Sequence, residues 1–132
     1  VNDGRAIPNF INQAIKNQDL TIYGSGKQTR SFCYIKDTIN GIDKTLFSNY
    51  KLPINIGNPD EFTILELVKI IKELISTKSE IIFESLPEND PKVRKPDITL
   101  AKTILKWEPK INLRDGLLKT INYYNKLHIF EK

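Results

Sequence analysis

Tyr23-Gly-Ser-Gly-Lys-Gln-Thr-Arg30-Ser-Phe-Cys-Tyr34 is the stretch from which the rest of the chain is read. Before it stands Leu20-Thr-Ile-Tyr23, a short run rich in strand formers, and behind it Ser31 to Ile35 alternates polar and apolar side chains. The two runs and the glycine turn between them predict a β-hairpin. Its loop sets Gly24 and Gly26 beside Lys27, Gln28, Thr29 and Arg30, so pliable backbone and several donors share one small surface. That combination suits an anion.

Towards the N-terminus, Ile7, Phe10, Ile11, Ala14 and Ile15 recur at helical spacing, predicting an amphipathic helix over Ala6 to Lys16 with Pro8 in its first turn. On the other side, Asp37 is placed to cap a helix over Thr38 to Phe47, which carries Ile39, Ile42, Leu46 and Phe47 on one side and Gly41 as a weak point. Pro53 to Ile56 reads as a short strand. Thr63-Ile-Leu-Glu66 is a capping box opening an apolar helix to about Ser76, built on Leu65, Leu67, Val68, Ile71, Leu74 and Ile75. A strand over Glu80 to Ser85, a proline-bearing loop, and a short helix from Ile98 to Leu105 follow. Trp107 is expected to cover the core. A last helix, Leu113 to Asn125, should turn Leu117, Leu118, Ile121 and Tyr124 inward. Helices alternating with short strands make the class α/β, in one unit without repeats.

The chain has 132 residues, enough for one modest core, and its 39% hydrophobic and 27% charged content is that of a globular protein. No apolar run is long enough to span a bilayer and no signal peptide opens the sequence, so a cytoplasmic location is expected, and the single cysteine, Cys33, agrees with it. A net charge of +4 and a pI near 9.1 raise the question of nucleic acid, but the cations are scattered and no basic block forms, so no nucleic-acid partner is expected. Three of the four arginines, Arg5, Arg30 and Arg94, sit in the segments singled out here, which favours recognition of an anion by a two-pronged group. His128 has no ligand-spaced partner, and no metal site is read.

Two features that a complete nicotinamide-dependent reductase requires are missing. No glycine-rich turn of the dinucleotide-binding kind occurs. A Tyr-x-x-x-Lys pair exists at Tyr23 and Lys27, but Gly24 and Gly26 exclude the helix that would bring phenol and ammonium together.

Tyr23-Gly-Ser-Gly-x-Gln-Thr-Arg30-x-Phe-x-Tyr34-x-x-Asp37 resembles the substrate-lobe signature of extended short-chain dehydrogenase/reductases acting on nucleotide sugars, and most of all the UDP-glucuronate decarboxylases. Asn55-Ile-Gly-Asn-Pro59, Arg94-Lys-Pro-Asp97 and Leu105-Lys-Trp-Glu-Pro109 follow in that family's order. The resemblance covers nearly the whole chain but only the C-terminal portion of such an enzyme: a small helix-rich substrate lobe plus elements that would complete a Rossmann domain. It implies that the NAD-binding Rossmann domain is absent, that the chain alone is inactive, and that the full-length enzyme is a homodimer. The Ser31 to Phe47 strand and helix and Pro53 to Ile56 would dock on that domain, leaving an apolar flank exposed here.

By the same resemblance, Arg30 contacts the diphosphate of a UDP-sugar, with Gln28 beside it, and Thr21, Ile22 and Tyr23 line the nucleoside pocket. Arg94 is directed at the substrate and is the one candidate for a catalytic part, electrostatic or positioning; the alternative is an ion pair with Glu88 or Asp90. Asn55 faces the nucleotide or merely ends a strand. Arg5 contacts the nicotinamide cofactor or belongs to a frayed end. The implied reaction is decarboxylation of UDP-glucuronate to UDP-xylose with tightly held NAD. A dTDP-glucose 4,6-dehydratase, a UDP-sugar 4-epimerase and a non-catalytic nucleotide-sugar-binding module are the alternatives.

Overall fold

A computed structural model of the chain describes residues 5–85 and 94–130. The helix α1 (Ala6–Ile15) leads into β1 (Leu20–Tyr23), and β2 (Thr29–Ser31) into α2 (Ile35–Leu46). After an irregular stretch come β3 (Glu61–Thr63), α3 (Ile64–Ile75) and β4 (Ile81–Glu84), then α4 (Thr99–Leu105) and α5 (Leu113–Phe130).

The predicted hairpin does not form. β1 pairs in parallel with β4, Leu20 opposite Ile81 and Tyr23 opposite Glu84, whereas β2 pairs antiparallel with β3, Arg30 opposite Phe62. The physical reason lies in the turn. Gly24 and Gly26 both adopt φ near +70°, and Gly26 lies so close to Ile22 Cγ2 and Leu65 Cβ that a side chain there would meet them at 3.1 and 3.4 Å. The turn thus packs down onto α3. Gly26 O accepts from Leu65 N and Gln28 O from Ile64 N, both at 3.1 Å, so the loop caps a helix where a hairpin would have paired with itself.

The α3 helix begins as the sequence predicts. Thr63 Oγ1 accepts from Glu66 N at 3.1 Å while the Glu66 carboxylate accepts from Thr63 N at 2.8 Å, a complete capping box. Ile64, Leu67, Val68 and Ile71 bury one face of α3 against Phe10, Ile11 and Ala14 of α1, Leu20 and Ile22 of β1, and Leu113, Leu117 and Ile121 of α5. Leu118, expected inside, is exposed. It stands one residue round the helix from the buried seam of Leu113, Leu117 and Ile121.

A second, smaller cluster joins Ile98, Ala101, Leu105 and Trp107, with Cys33, Ile54 and Ile56 against it. Trp107 is buried as expected, but here and beside α2, and its Nε1 donates to Asp37 O at 3.1 Å. Asp37 does not cap α2. The helix starts three residues earlier, with Tyr34 as its N-cap, and the Asp37 carboxylate is buried where Oδ2 accepts from Lys110 N and Ile111 N at 2.9 and 2.8 Å. The predicted strand at Pro53 to Ile56 is irregular backbone. Its residues find side-chain partners, Ile54 and Ile56 in the second cluster, and no ladder.

Ile35, Ile39, Ile42 and Leu46 of α2, with Phe47 behind them, are 57–79% exposed. An apolar flank of this extent on one helix face marks a surface built to be covered.

Candidate anion-binding cleft

The residues singled out in the sequence fall into three places. Thr21, Ile22 and Tyr23 lie on β1. Ile22 is fully buried in the main core, so its side chain lines no pocket, a correction to the expectation. Thr21 is tied to α1: Gln13 Nε2 donates to Thr21 Oγ1 at 3.3 Å, and Thr21 N donates to Gln13 Oε1 at 3.4 Å. Tyr23 is 46% exposed, and its carbonyl accepts from Gln28 Nε2 at 2.8 Å. Gln28 therefore closes the glycine turn upon itself. With its carbonyls given to the N-terminus of α3 and Gly24 N donating to Glu84 O at 2.8 Å, the turn is a packing device more than an anion cradle.

Arg30 sits in the middle of β2 and its Nη1 donates to Thr29 O at 2.7 Å. Along an extended strand its side chain leaves on the face opposite Ser31. Ser31 and Cys33, on their own side, open into a cavity of about 530 Å³ lined also by Ile56, Gly57, Asn58, Arg94, Lys95 and Pro96. Arg94 is thus in the cavity, and Arg30 is not among its lining residues. The two segments nonetheless adjoin, because Ser31 Oγ donates to Arg94 O at 3.1 Å. The ion pair considered for Arg94, to Glu88 or Asp90, lies outside the described residues.

Arg94 and Lys95, with the Asn58 amide beside them, give the cavity a cationic lining that suits an anion, while the Ser31 hydroxyl is already given to Arg94 O. Lys95 shares its charge with Glu61, at 3.5 Å across a partly exposed pair, so the guanidinium is the stronger of the two attractions. Asn58 is 4% exposed and its Oδ1 accepts from Asp60 N at 3.0 Å, which orders the turn at the cavity wall. Burial pushes the Cys33 thiol up, and the Asp37 carboxylate adds to this against a contrary hydrogen bond from Thr38. A thiol held protonated is a weak nucleophile, and Cys33 acts here as wall.

Asn55 does not enter the cavity lining. Its Nδ2 donates to Asp97 O at 3.1 Å, so the side chain grips the segment carrying Arg94. Arg5 is the exposed N-cap residue of α1, with its carbonyl accepting from Asn9 N. Gly57, Asn58, Lys95 and Pro96 were not singled out as site residues. Their signal was present, since all four stand within the motifs at 55–59 and 94–97, but which face each would show depends on how those two irregular segments meet. A second cavity of about 480 Å³, between α1, α2 and α5, is largely apolar, with Phe32, Ile35, Leu117 and Tyr123 in its wall. No group of three His, Cys, Asp or Glu side chains among the described residues is arranged to hold a metal ion, and no described helix is long and apolar enough to cross a membrane.

UDP-glucuronic acid decarboxylase 1 of Xenopus tropicalis is 48% identical over 126 residues, which is 96% of this chain and 30% of that protein. UDP-glucuronic acid decarboxylase 3 of Arabidopsis thaliana is 49% identical over 117 residues, 89% of this chain and 34% of its own. The chain therefore spans about a third of the length of these relatives. The crystal structure of UDP-glucuronic acid 4-epimerase from Bacillus cereus, in complex with UDP-glucuronic acid and NAD, superposes with a TM-score of 0.87 at 31% identity. That match covers 93% of this chain and 40% of the epimerase. The dTDP-glucose 4,6-dehydratase of Bacillus anthracis, in complex with NAD, gives 0.85 at 27% identity over 93% of this chain and 39% of its own. The α/β fold is thus that of the epimerases and dehydratases, of which this chain matches two-fifths. A family model described as GDP-mannose 4,6 dehydratase matches residues 3–120, and the chain belongs to that family.

Proposed function

We propose that this chain is the nucleotide-sugar-binding portion of a UDP-glucuronate decarboxylase, with its cleft taking the diphosphate and the acidic sugar of the substrate. The observation that carries the proposal is the cavity in which Arg94 and Lys95 meet Ser31 and Asn58. A nucleoside diphosphate sugar acid carries charge at the diphosphate and at the carboxylate, and paired cations over hydrogen-bond donors complement either. Relatives at 48–49% identity are decarboxylases, while the epimerase superposed here is 31% identical, which favours decarboxylation over epimerisation or dehydration.

The residues present do not fit a dinucleotide. Such a cofactor needs a helix N-terminus offering N–H groups to its pyrophosphate. Among the described residues, the glycine turn that meets the start of α3 offers the carbonyls of Gly26 and Gln28, the opposite polarity. The proposal accordingly assigns NAD to the part of the relatives that this chain does not span, together with Arg5 at the edge, and it assigns the covering of the exposed α2 flank to the same part. What this chain's residues do is bind and orient. Arg94 attracts the anionic substrate and holds it without transferring a proton, since a guanidinium does not deprotonate in proteins. Arg30, whose side chain leaves β2 on the face away from Ser31, does not line this cavity, and as a diphosphate contact it acts from outside it.

The test is turnover and binding in the natural protein that carries this sequence. UDP-glucuronate should be converted to UDP-xylose and dTDP-glucose left unchanged, and the isolated chain should turn over neither. Arg30→Lys should weaken UDP-sugar binding in calorimetry about as much as Arg30→Ala, because a point charge lacks the two-pronged contact. An unchanged constant for the lysine variant removes Arg30 from the site. Binding without turnover would make this a nucleotide-sugar-binding module.

A further inference from the structure

Arg94-Lys-Pro-Asp97 has no helix or strand of its own, so the position of Arg94 is set by whatever seats these four residues. Five contacts do so. At the near end Ser31 Oγ donates to Arg94 O at 3.1 Å, and Lys95 pairs with Glu61 at 3.5 Å. In the middle, Pro96 rests on Gly57 so closely that a Cβ on the glycine would meet Pro96 Cγ at 2.9 Å and Cβ at 3.4 Å. At the far end Asn55 Nδ2 donates to Asp97 O at 3.1 Å, while Asp97 Oδ1 accepts from Thr99 N and Oγ1 at 2.9 and 2.6 Å and so ties the segment to the start of α4.

We propose that Asn55 is a positioning residue, which acts on the substrate only through the seat it gives Arg94, and that Gly57, itself in the cavity wall, leaves the room in which Pro96 of the same segment lies. The assignment rests on the reading of the cleft given above, and it replaces a direct contact of Asn55 with the nucleotide. Asn55 is exposed, it does not line the cavity, and its amide donates to a backbone carbonyl of the segment. Removing that donor releases one end of the Arg94 segment. Adding a methyl group at Gly57 lifts its middle, because the neighbour it meets is a rigid pyrrolidine ring. In both cases the guanidinium stays in the protein but loses its aim.

A double-mutant cycle in the natural protein, read by calorimetry with UDP-glucuronate as the titrant, tests this. Arg94→Ala is expected to weaken binding at least tenfold, the range for a charge-assisted contact. Asn55→Ala and Gly57→Ala should each weaken it several-fold on their own, with unfolding temperatures close to the parent. Combined with Arg94→Ala, neither should weaken binding more than a further twofold, because there is no guanidinium left to misplace. Asn55→Asp, which faces a carbonyl with an acceptor, should be at least as damaging as Asn55→Ala. Full additivity of Asn55→Ala with Arg94→Ala overturns the proposal and returns Asn55 to the nucleotide. So does an Asn55→Ala variant that binds like the parent. If Arg94→Ala itself binds normally, the cleft reading fails first, an outcome separable from the other two.

Discussion

Substitution of Gly41 by alanine sets two effects against each other, and the structure decides the sign. Gly41 lies in the interior of α2, where alanine is favoured over glycine by about 1 kcal/mol. By sequence alone Gly41→Ala should stabilise. In the folded chain, however, the new Cβ would stand 2.5 Å from Ile56 Cγ2, 3.1 Å from Ile56 Cδ1 and 3.0 Å from Trp107 Cε2. None of these neighbours yields easily. Ile56 is β-branched and stiff at χ1, and Trp107 is buried at 3% exposure with its indole N–H bonded to Asp37 O. Overpacking of this kind costs about 1–3 kcal/mol. With contacts on two sides the upper part of that range applies, and after the propensity gain a net loss of about 1–2 kcal/mol remains. Equilibrium urea unfolding of parent and variant measures it, with tryptophan fluorescence as the probe because Trp107 is the single tryptophan. Ile56→Ala removes two of the three close approaches, so the double variant should lose less than the sum of the single losses. A Gly41→Ala protein as stable as the parent, or more so, refutes the reasoning.

Asp37→Ala strands Lys110 N and Ile111 N, which both donate to the buried carboxylate, and should destabilise by about 2–4 kcal/mol in the same urea assay; a loss below 0.5 kcal/mol, the bottom of the range for one hydrogen bond, would contradict that account. Thr63→Ala breaks the capping box and should cost about 1 kcal/mol, with unchanged unfolding as the contrary result. Hydrogen bonds from Thr99 hold the Asp97 carboxyl below its usual range, and the Arg114 guanidinium does the same for Glu73. Both groups therefore favour the fold above the ordinary carboxylate range, and that contribution fades as pH falls through their lowered values. A carbon-detected NMR titration should show both midpoints below those of unstructured carboxylates, and ordinary midpoints would remove the effect.

Periodicity alone located α1, α3, α4 and α5, because an amphipathic helix writes its buried face into the local spacing of Ile7, Phe10, Ile11 and Ala14, or of Leu67, Val68 and Ile71. The capping box was equally legible, being a contact between residues three apart. So was the family, through short motifs whose residues stand in a fixed order. Pairing was not legible. Whether β1 joins β2 or β4 depends on Gly26 settling against Leu65, some forty positions further along the chain. For the same reason Asp37 read as a cap when its carboxylate in fact receives the backbone at 110 and 111. The cleft divides in the same way. Arg94 and Asn55 could be named from their motifs, but only the meeting of segments 55–58 and 94–97 decided that one lines a cavity and the other holds its partner in place. Local spacing fixes helices because their contacts are three and four residues apart. Strand partners and clefts are set by backbone approach between distant segments, which the order of side chains along the chain does not encode on its own.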